Sequence, residues 1–348
     1  METKIWIVDK FMGHDLIYPQ LEEAAQLLKQ GETVAFPTET VYGLGADATS
    51  DEAVDKIFLA KGRPSDNPLI IHIGNKKKVE EIAVDIPTPA RVLMNRFWPG
   101  PLTLVLKKKP GISEKVTAGL ETVGIRMPSH PVALALLEAV DLPIAAPSAN
   151  LSGKPSPTLA KHVLADLNGR ISGIVDGGPT GVGVESTVLD CTEAIPVILR
   201  PGGITKEQIE EAIGPVNVDK ALLASGQAPK SPGMKYTHYA PDAPLYIVEG
   251  SREFLQQKID DLKAQGKRAG VLTTLENESF YRADVVLVCG TRHDLSTVAA
   301  HLYEVLRSFN EHHVDIILSE SFPQEGVGQA VMNRLMKAAG HQVISEID

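Results

Sequence analysis

KGRPSDNPLIIHIG, Lys61–Gly74, sets two cations, two prolines and an Asn ahead of a short apolar run that a histidine interrupts. A brief β-branched run bounded by Pro and Gly has the length and chemistry of a buried strand, so Leu69–Ile73 is predicted as a strand fed by the loop Lys61–Pro68. Upstream, SDEAVDKIFLAKG opens on Ser50, a fitting N-cap, and stops at Gly62, which predicts a helix between them. Helix, polar loop and buried strand together announce an α/β protein with its polar groups at strand ends.

The same texture extends outward. Strands are predicted near Lys4–Val8, Thr33–Phe36, Leu102–Leu106, Val123–Met127, Ile144–Ala146, Gly173–Val175, Ser186–Leu189 and Val197–Leu199, with amphipathic helices between several of them. Their uneven spacing suggests a large twisted mixed sheet. From Gly214 the pattern breaks into a Pro- and Gly-rich stretch that carries Lys235, Tyr236, His238 and Tyr239, more chemistry than a passive spacer needs. After it, runs at Leu245–Val248, Ala269–Thr273, Val285–Val288 and Ile316–Leu318 alternate with helical segments, the signature of a small parallel, doubly wound domain.

At 348 residues the chain exceeds one ordinary core, so two domains are expected. No apolar stretch is long enough for a membrane helix and the first residues lack signal or transit character, so a cytoplasmic protein without membrane attachment is the expectation. Only Cys191 and Cys289 occur, without CxxC spacing, which argues against a disulfide framework or a zinc cluster. A net charge of −10 opposes broad coating by nucleic acid, leaving the triplets Lys76–Lys78 and Lys107–Lys109 as local candidates only. GxxxxGK[ST], GxGxxG, GxSxG and HExxH are all absent; VYGLGAD and GVGVES come nearest to a glycine fingerprint and lack its third glycine.

Four polar clusters remain at the ends of predicted strands, where ligand sites of open α/β sheets gather. FPTETVYGLG places Thr38, Glu39 and Thr40 after one strand, and the opening stretch contributes Lys61, Arg63, Asn67 and His72. TVGIRMPSH puts Arg126 at the end of a third, and APSANLSGKPSPT sets Ser148, Asn150, Ser152 and Ser156 after a fourth. Lys and Arg donors beside hydroxyls and amides make a cradle for a polyanion, with Arg forks suited to phosphate or carboxylate oxygens. His72 reads either as a satisfied core histidine or as a hydrogen-bond partner of a substrate amine or hydroxyl.

Taken together, PTETVYGLG, KGRPSDNPL with its following His, GIRMPSH, PSANLSG, ESTV and LRPG resemble the L-threonylcarbamoyladenylate synthase family, in its order and spacing and with no departure at a signature position. The resemblance covers essentially the whole chain and implies a YrdC-like catalytic domain over residues 1–213, a linker and active-site lid over 214–243, and a small Rossmann-like domain over 244–348. It implies a nucleotidyltransferase that joins ATP, L-threonine and bicarbonate into threonylcarbamoyl-AMP with release of pyrophosphate, for tRNA modification. By carry-over, Lys61, Arg63, Ser148 and Asn150 serve catalysis, while Thr38, Thr40, His72, Arg126, Ala146 and Ser186 hold threonine. Arg63, Asn67, Thr122, Ser148, Ser156, Arg200 and Tyr239 complete the ATP site. Mg²⁺ is expected with ATP and no tightly bound organic cofactor is; downstream tRNA threonylcarbamoyl-transferase proteins and a weak tRNA contact are the implied partners. Two other readings compete: an RNA-binding module using the Lys triplets, and a carbamoyltransferase of the hydrogenase-maturation kind, which the missing zinc-finger cysteines disfavour.

Overall fold

The computed structural model describes residues 2–9, 19–219 and 238–346. The chain forms two compact units, one comprising Met1–Ser152, Pro157–Gly181 and Glu185–Lys235, the other Gly153–Ser156, Val182–Val184 and Tyr236–Asp348.

In the first unit the strands are β1 (Lys4–Ile7), β2 (Val34–Phe36), β3 (Gly43–Asp47), β4 (Ile70–His72), β5 (Ala83–Val84), β6 (Leu102–Lys108), β7 (Thr122–Arg126), β8 (Ile144–Ala145), β9 (Gly173–Asp176), β10 (Thr187–Asp190), β11 (Val197–Arg200) and β12 (Asn217–Val218). The helices are α1 (Pro19–Lys29), α2 (Asp51–Lys61), α3 (Val79–Ile82), α4 (Thr88–Phe97), α5 (Glu114–Thr117), α6 (Pro131–Val140), α7 (Ala160–Leu167) and α8 (Lys206–Ile213). One mixed sheet runs in the order β1-β9-β2-β3-β8-β4-β7-β6-β10-β11-β12, with β5 paired to β6. The helix predicted before the opening stretch is capped as expected. Ser50 accepts the Ala53 N–H, and Gly62 ends α2 at φ 59, in the left-handed region that glycine adopts without strain.

The alternation of side chains along each strand divides the sheet into two unlike faces. Ile71, Leu104, Ile125, Leu189 and Ile198 point into the main core, where α2, α4, α7 and α8 pack. On the other face, α1 and α6 cover Val34, Phe36, Ile144 and Val175. Farther along that face, over β4, β7, β6, β10 and β11, the apolar side chains shrink to a small cluster of Ile70, Val105, Val188 and Leu199. Ile70 and His72 alternate with core-facing Ile71, and Thr122, Gly124 and Arg126 alternate with Val123 and Ile125. This stretch of sheet therefore turns its polar residues away from the core.

β3 departs from the sequence-based expectation. GLGAD looks like a glycine loop, yet it pairs antiparallel with β2 and β8. The glycine serves packing, because a Cβ on Gly45 would lie 2.9 Å from Phe36 and 3.0 Å from Ile144. Short β5 and β12 were likewise invisible, having too few residues to display a period.

The second unit holds β13 (Leu245–Glu249), α9 (Arg252–Ala264), β14 (Ala269–Thr273), β15 (Val285–Val288), α10 (Leu295–His312), β16 (Ile316–Glu320), α11 (Val327–Ala338) and β17 (Val343–Ser345). Its sheet, in the order β15-β14-β16-β13-β17, is parallel throughout, as the alternation of strands and helices predicts. Among the described residues no helix is long and apolar enough to cross a membrane. Of the linker's chemistry, Lys235 and Tyr236 lie outside the described residues.

Both thiols are buried. Burial, and then the Asp190 carboxylate, push the Cys191 thiol up to about 12, and burial pushes Cys289 up as well. Since the thiolate is the nucleophile, neither cysteine is expected to be alkylated by iodoacetamide in the native protein at about pH 8, whereas both react in denaturant. Mass spectrometry after brief labelling checks this, and one modified thiol per native chain contradicts it.

Candidate active site

Lys61 is the last residue of α2 and is buried at 3% exposure. Its ammonium turns onto the loop after β8, donating to the Ser148 and Asn150 carbonyls, the latter at 2.7 Å, and lying 3.5 Å from Asn150 Oδ1. The Ser152 N–H returns a bond to the Lys61 carbonyl at 2.9 Å. Helix end and loop are thus fastened by one cation, whose burial is tolerable because oxygens surround it. Arg63 is half-buried and donates to the Asn67 carbonyl at 3.3 Å, while Asn67 itself is buried.

β4 and β7 run parallel with His72 beside Arg126 and Ile70 beside Gly124. His72 Nδ1 lies 3.2 Å from the Ile70 carbonyl oxygen. That oxygen can only accept, so Nδ1 carries the proton and Nε2 is left as an acceptor. Burial first, and then the Arg126 charge, hold the His72 pKa down to about 3, so the ring is neutral at physiological pH. Between pH 6.5 and about 3 the unfolded chain binds a proton here that the folded chain does not, so this position adds stability above its unfolded pKa and withdraws it as pH falls. Its share approaches about 1.4 kcal/mol per pH unit within that window. Denaturant melts at about pH 7 and about pH 5 check this, and His72→Asn is expected to shrink the difference between them; an equal difference in the variant contradicts the assignment.

Arg126 is buried at 3% exposure. It donates through Nε to the Gly100 carbonyl at 3.3 Å and through Nη1 to Thr40 Oγ1 at 2.9 Å. Nη2 lies 2.6 Å from Glu39 Oε1. That contact is too oblique for a hydrogen bond, and among the described residues Nη2 and both buried Glu39 oxygens have no hydrogen-bond partner. It is an ion contact whose directional bonding capacity remains unspent. Thr38 Oγ1 sits 2.8 Å from Thr40 Oγ1 and receives the Thr40 and Val41 N–H groups at 3.2 and 3.3 Å. This local side-chain turn fixes the PTET loop at the sheet. Ala146, buried, follows β8 and donates its N–H to the Ile70 carbonyl at 2.9 Å.

Ser186 precedes β10 and is held from two sides. Its hydroxyl lies 2.8 Å from Thr103 Oγ1, and Arg200, at the end of β11, reaches its carbonyl with Nε at 3.1 Å and Nη2 at 3.0 Å. Glycine lets the LRPG turn approach the ESTV turn, because a Cβ on Gly202 would fall 2.3 Å from the Glu185 carbonyl oxygen.

The first unit therefore brings together two sets of predicted residues. Thr40, His72 and Arg126 gather at neighbouring strand ends with Thr38 beside them, and Lys61, Ser148 and Asn150 share one cation. Thr122 stands at the opposite end of β7 from Arg126, four residues or roughly 13 Å along the strand. Ser156 and Tyr239 belong to the second unit. There the Ala240 N–H bonds to the Gly153 carbonyl at 3.0 Å, and Tyr239, buried at φ 66, packs its ring 5.0 Å from that of Tyr303. The contact of Glu39 with Arg126 is the feature that sequence reading missed, since a lone Glu between two threonines carries no sign of a partner 87 residues away.

Three lysines of the two triplets are paired with carboxylates. Lys78 pairs with Glu81 and Asp141, Lys107 with Asp85 and Lys108 with Glu114.

Comparison with known proteins identifies the family. Residues 26–202 match the Sua5/YciO/YrdC family profile, described as Telomere recombination, which defines the class of the first unit as a YrdC-like domain. Residues 204–340 match the profile described as Threonylcarbamoyl-AMP synthase, C-terminal domain. The chain is 62% identical over 345 residues to the threonylcarbamoyl-AMP synthase of Bacillus subtilis, covering 99% of this chain and 100% of that protein. Against the threonylcarbamoyl-AMP synthase of Pyrococcus abyssi it is 50% identical over 326 residues, covering 92% and 94%. The crystal structure of Pyrococcus abyssi Sua5 complexed with L-threonine matches with a TM-score of 0.92 at 47% identity, covering 99% of both chains. The chain belongs to the threonylcarbamoyl-AMP synthase family, in its two-domain form. It is accordingly an enzyme of the nucleotidyltransferase kind, acting in tRNA modification.

Proposed function

We propose that the chain condenses the amine of L-threonine with bicarbonate, releasing water, and passes the resulting N-carboxylate to the α-phosphorus of ATP, displacing pyrophosphate and yielding threonylcarbamoyl-AMP. The observation that carries this reading is the juxtaposition of neutral His72 with the buried Arg126 fork and the Thr38–Thr40 hydroxyl pair at one end of β4 and β7. A guanidinium matches an α-carboxylate, and the free Nε2 of His72 suits a substrate hydroxyl as donor. Side-chain hydroxyls of Thr40 and Ser186 add further polar contacts around the amino acid. The L-threonine held by the Pyrococcus abyssi relative supports the same assignment here.

Lys61, Arg63, Ser148 and Asn150 then face the bicarbonate and phosphate oxygens. The step is an in-line displacement at phosphorus with no covalent enzyme intermediate, so positioning and fixed positive charge supply the rate. Asn67, Thr122 and Arg200 of the first unit complete the nucleotide contacts. Mg²⁺ would accompany ATP as part of the nucleotide substrate and would offset phosphate charge there, since among the described residues no cluster of His, Cys, Asp or Glu could hold it. The enzyme works in the cytoplasm and hands its product to tRNA threonylcarbamoyl-transferase proteins. Pyrophosphate release by the purified chain tests the reading: it is expected only when ATP, threonine and bicarbonate are all present, and equal release with threonine omitted overturns it.

A further inference from the structure

We infer that Glu39 is a specificity-determining residue for the amino-acid substrate, its carboxylate receiving the α-ammonium while Arg126 receives the α-carboxylate. The inference rests on the proposed threonine site and goes further by giving a role to a residue that no other part of that proposal uses.

A zwitterionic amino acid presents one negative and one positive group on adjacent atoms. A complementary site must offer a cation and an anion at similar spacing, both fixed and shielded from water. Glu39 and Arg126 do this: Oε1 and Nη2 are 2.6 Å apart, and the two side chains are 13% and 4% exposed. The pair is also incompletely bonded. Arg126 spends Nε on Gly100 and Nη1 on Thr40, whereas among the described residues Nη2 and both oxygens of Glu39 have no hydrogen-bond partner. Buried carboxylate oxygens without donors are costly, and a pair serving structure alone would be expected to align its bonds. An ammonium brings three donors to these two oxygens and a substrate carboxylate brings acceptors to Nη2, so the zwitterion satisfies all three atoms at once. The backbone holds Glu39 in place for this, its carbonyl accepting the Gly181 N–H at 3.0 Å and its flanking threonines being tied to each other. Neighbouring His72, neutral, offers the ammonium no competing charge.

The test compares two ligands on the full-length protein. L-Threonine carries the ammonium, and 3-hydroxybutyrate keeps the carboxylate, hydroxyl and methyl without it. Glu39→Gln is expected to weaken threonine about tenfold or more, the worth of a buried charge-assisted contact, while leaving 3-hydroxybutyrate within about twofold, as read by calorimetry for the first and ligand-observed NMR for the second. Equal weakening of both ligands means Glu39 only supports Arg126, and tighter binding of both means it competes with substrate for the guanidinium; either result overturns the inference. Glu39→Asp keeps the charge on a shorter arm and gives the same selective comparison should the amide variant not fold. If the unaltered chain fails to bind threonine, the proposed function itself falls, which separates the two failures.

Discussion

Arg126→Ala is expected to lower kcat/KM for threonine about 100- to 1000-fold and to destabilise the fold by about 3–5 kcal/mol. The two effects have different origins. Loss of the fork removes the Arg126 guanidinium from the proposed carboxylate position, and a buried charged contact is worth several kcal/mol when truncated. The stability cost comes from what stays behind, because Glu39 then lies buried with neither counterion nor hydrogen bond. Adding Glu39→Gln to Arg126→Ala is therefore expected to recover part of the stability and none of the activity. Denaturant melts and initial rates on the single and double variants measure both quantities. A threonine KM for Arg126→Ala near that of the unaltered chain would remove Arg126 from the site.

Lys61→Met is the second large effect. Methionine keeps much of the stem's volume and helical preference, so the change isolates the ammonium. The carbonyls of Ser148 and Asn150 lose a shared donor, which costs about 1–3 kcal/mol for each left unsatisfied. The fixed charge proposed to face the developing phosphorane is lost too, and single donors of that kind are worth about 100- to 1000-fold in kcat. The expected signature is a fall in kcat larger than any rise in KM for threonine, since Lys61 stands apart from His72 and Arg126 in the proposed division of roles. A variant that changes only threonine KM would mean that the cation positions the amino acid instead.

What the amino-acid sequence reveals of this fold and site follows the range of the forces involved. The stretch Lys61–Gly74 was legible because its signals are local: Ser50 and Gly62 delimit α2 through capping, and Ile70–His72 declare a strand by composition. Local signals also marked the polar clusters, since Ser, Asn and Thr after a strand must find partners. Strand order was not legible, because β4 lies between β7 and β8 by pairings that span long stretches of chain. β3 was missed for a related reason, its Gly45 being required by Phe36 and Ile144 across the sheet and not by any local turn. The Glu39 contact with Arg126 belongs to the same class. Thr122 shows the converse limit: only the family resemblance proposes it as a nucleotide contact, and the strand carries it to the end of β7 opposite Arg126.

This site is proposed to couple threonine and bicarbonate to ATP. Incubating the purified chain with ATP, isotopically labelled bicarbonate and each amino acid in turn tests it most directly, with mass spectrometry of the products. A labelled carbamoyl-adenylate is expected with L-threonine far above any other amino acid; no labelled adenylate, or equal amounts with unrelated amino acids, would overturn the assignment.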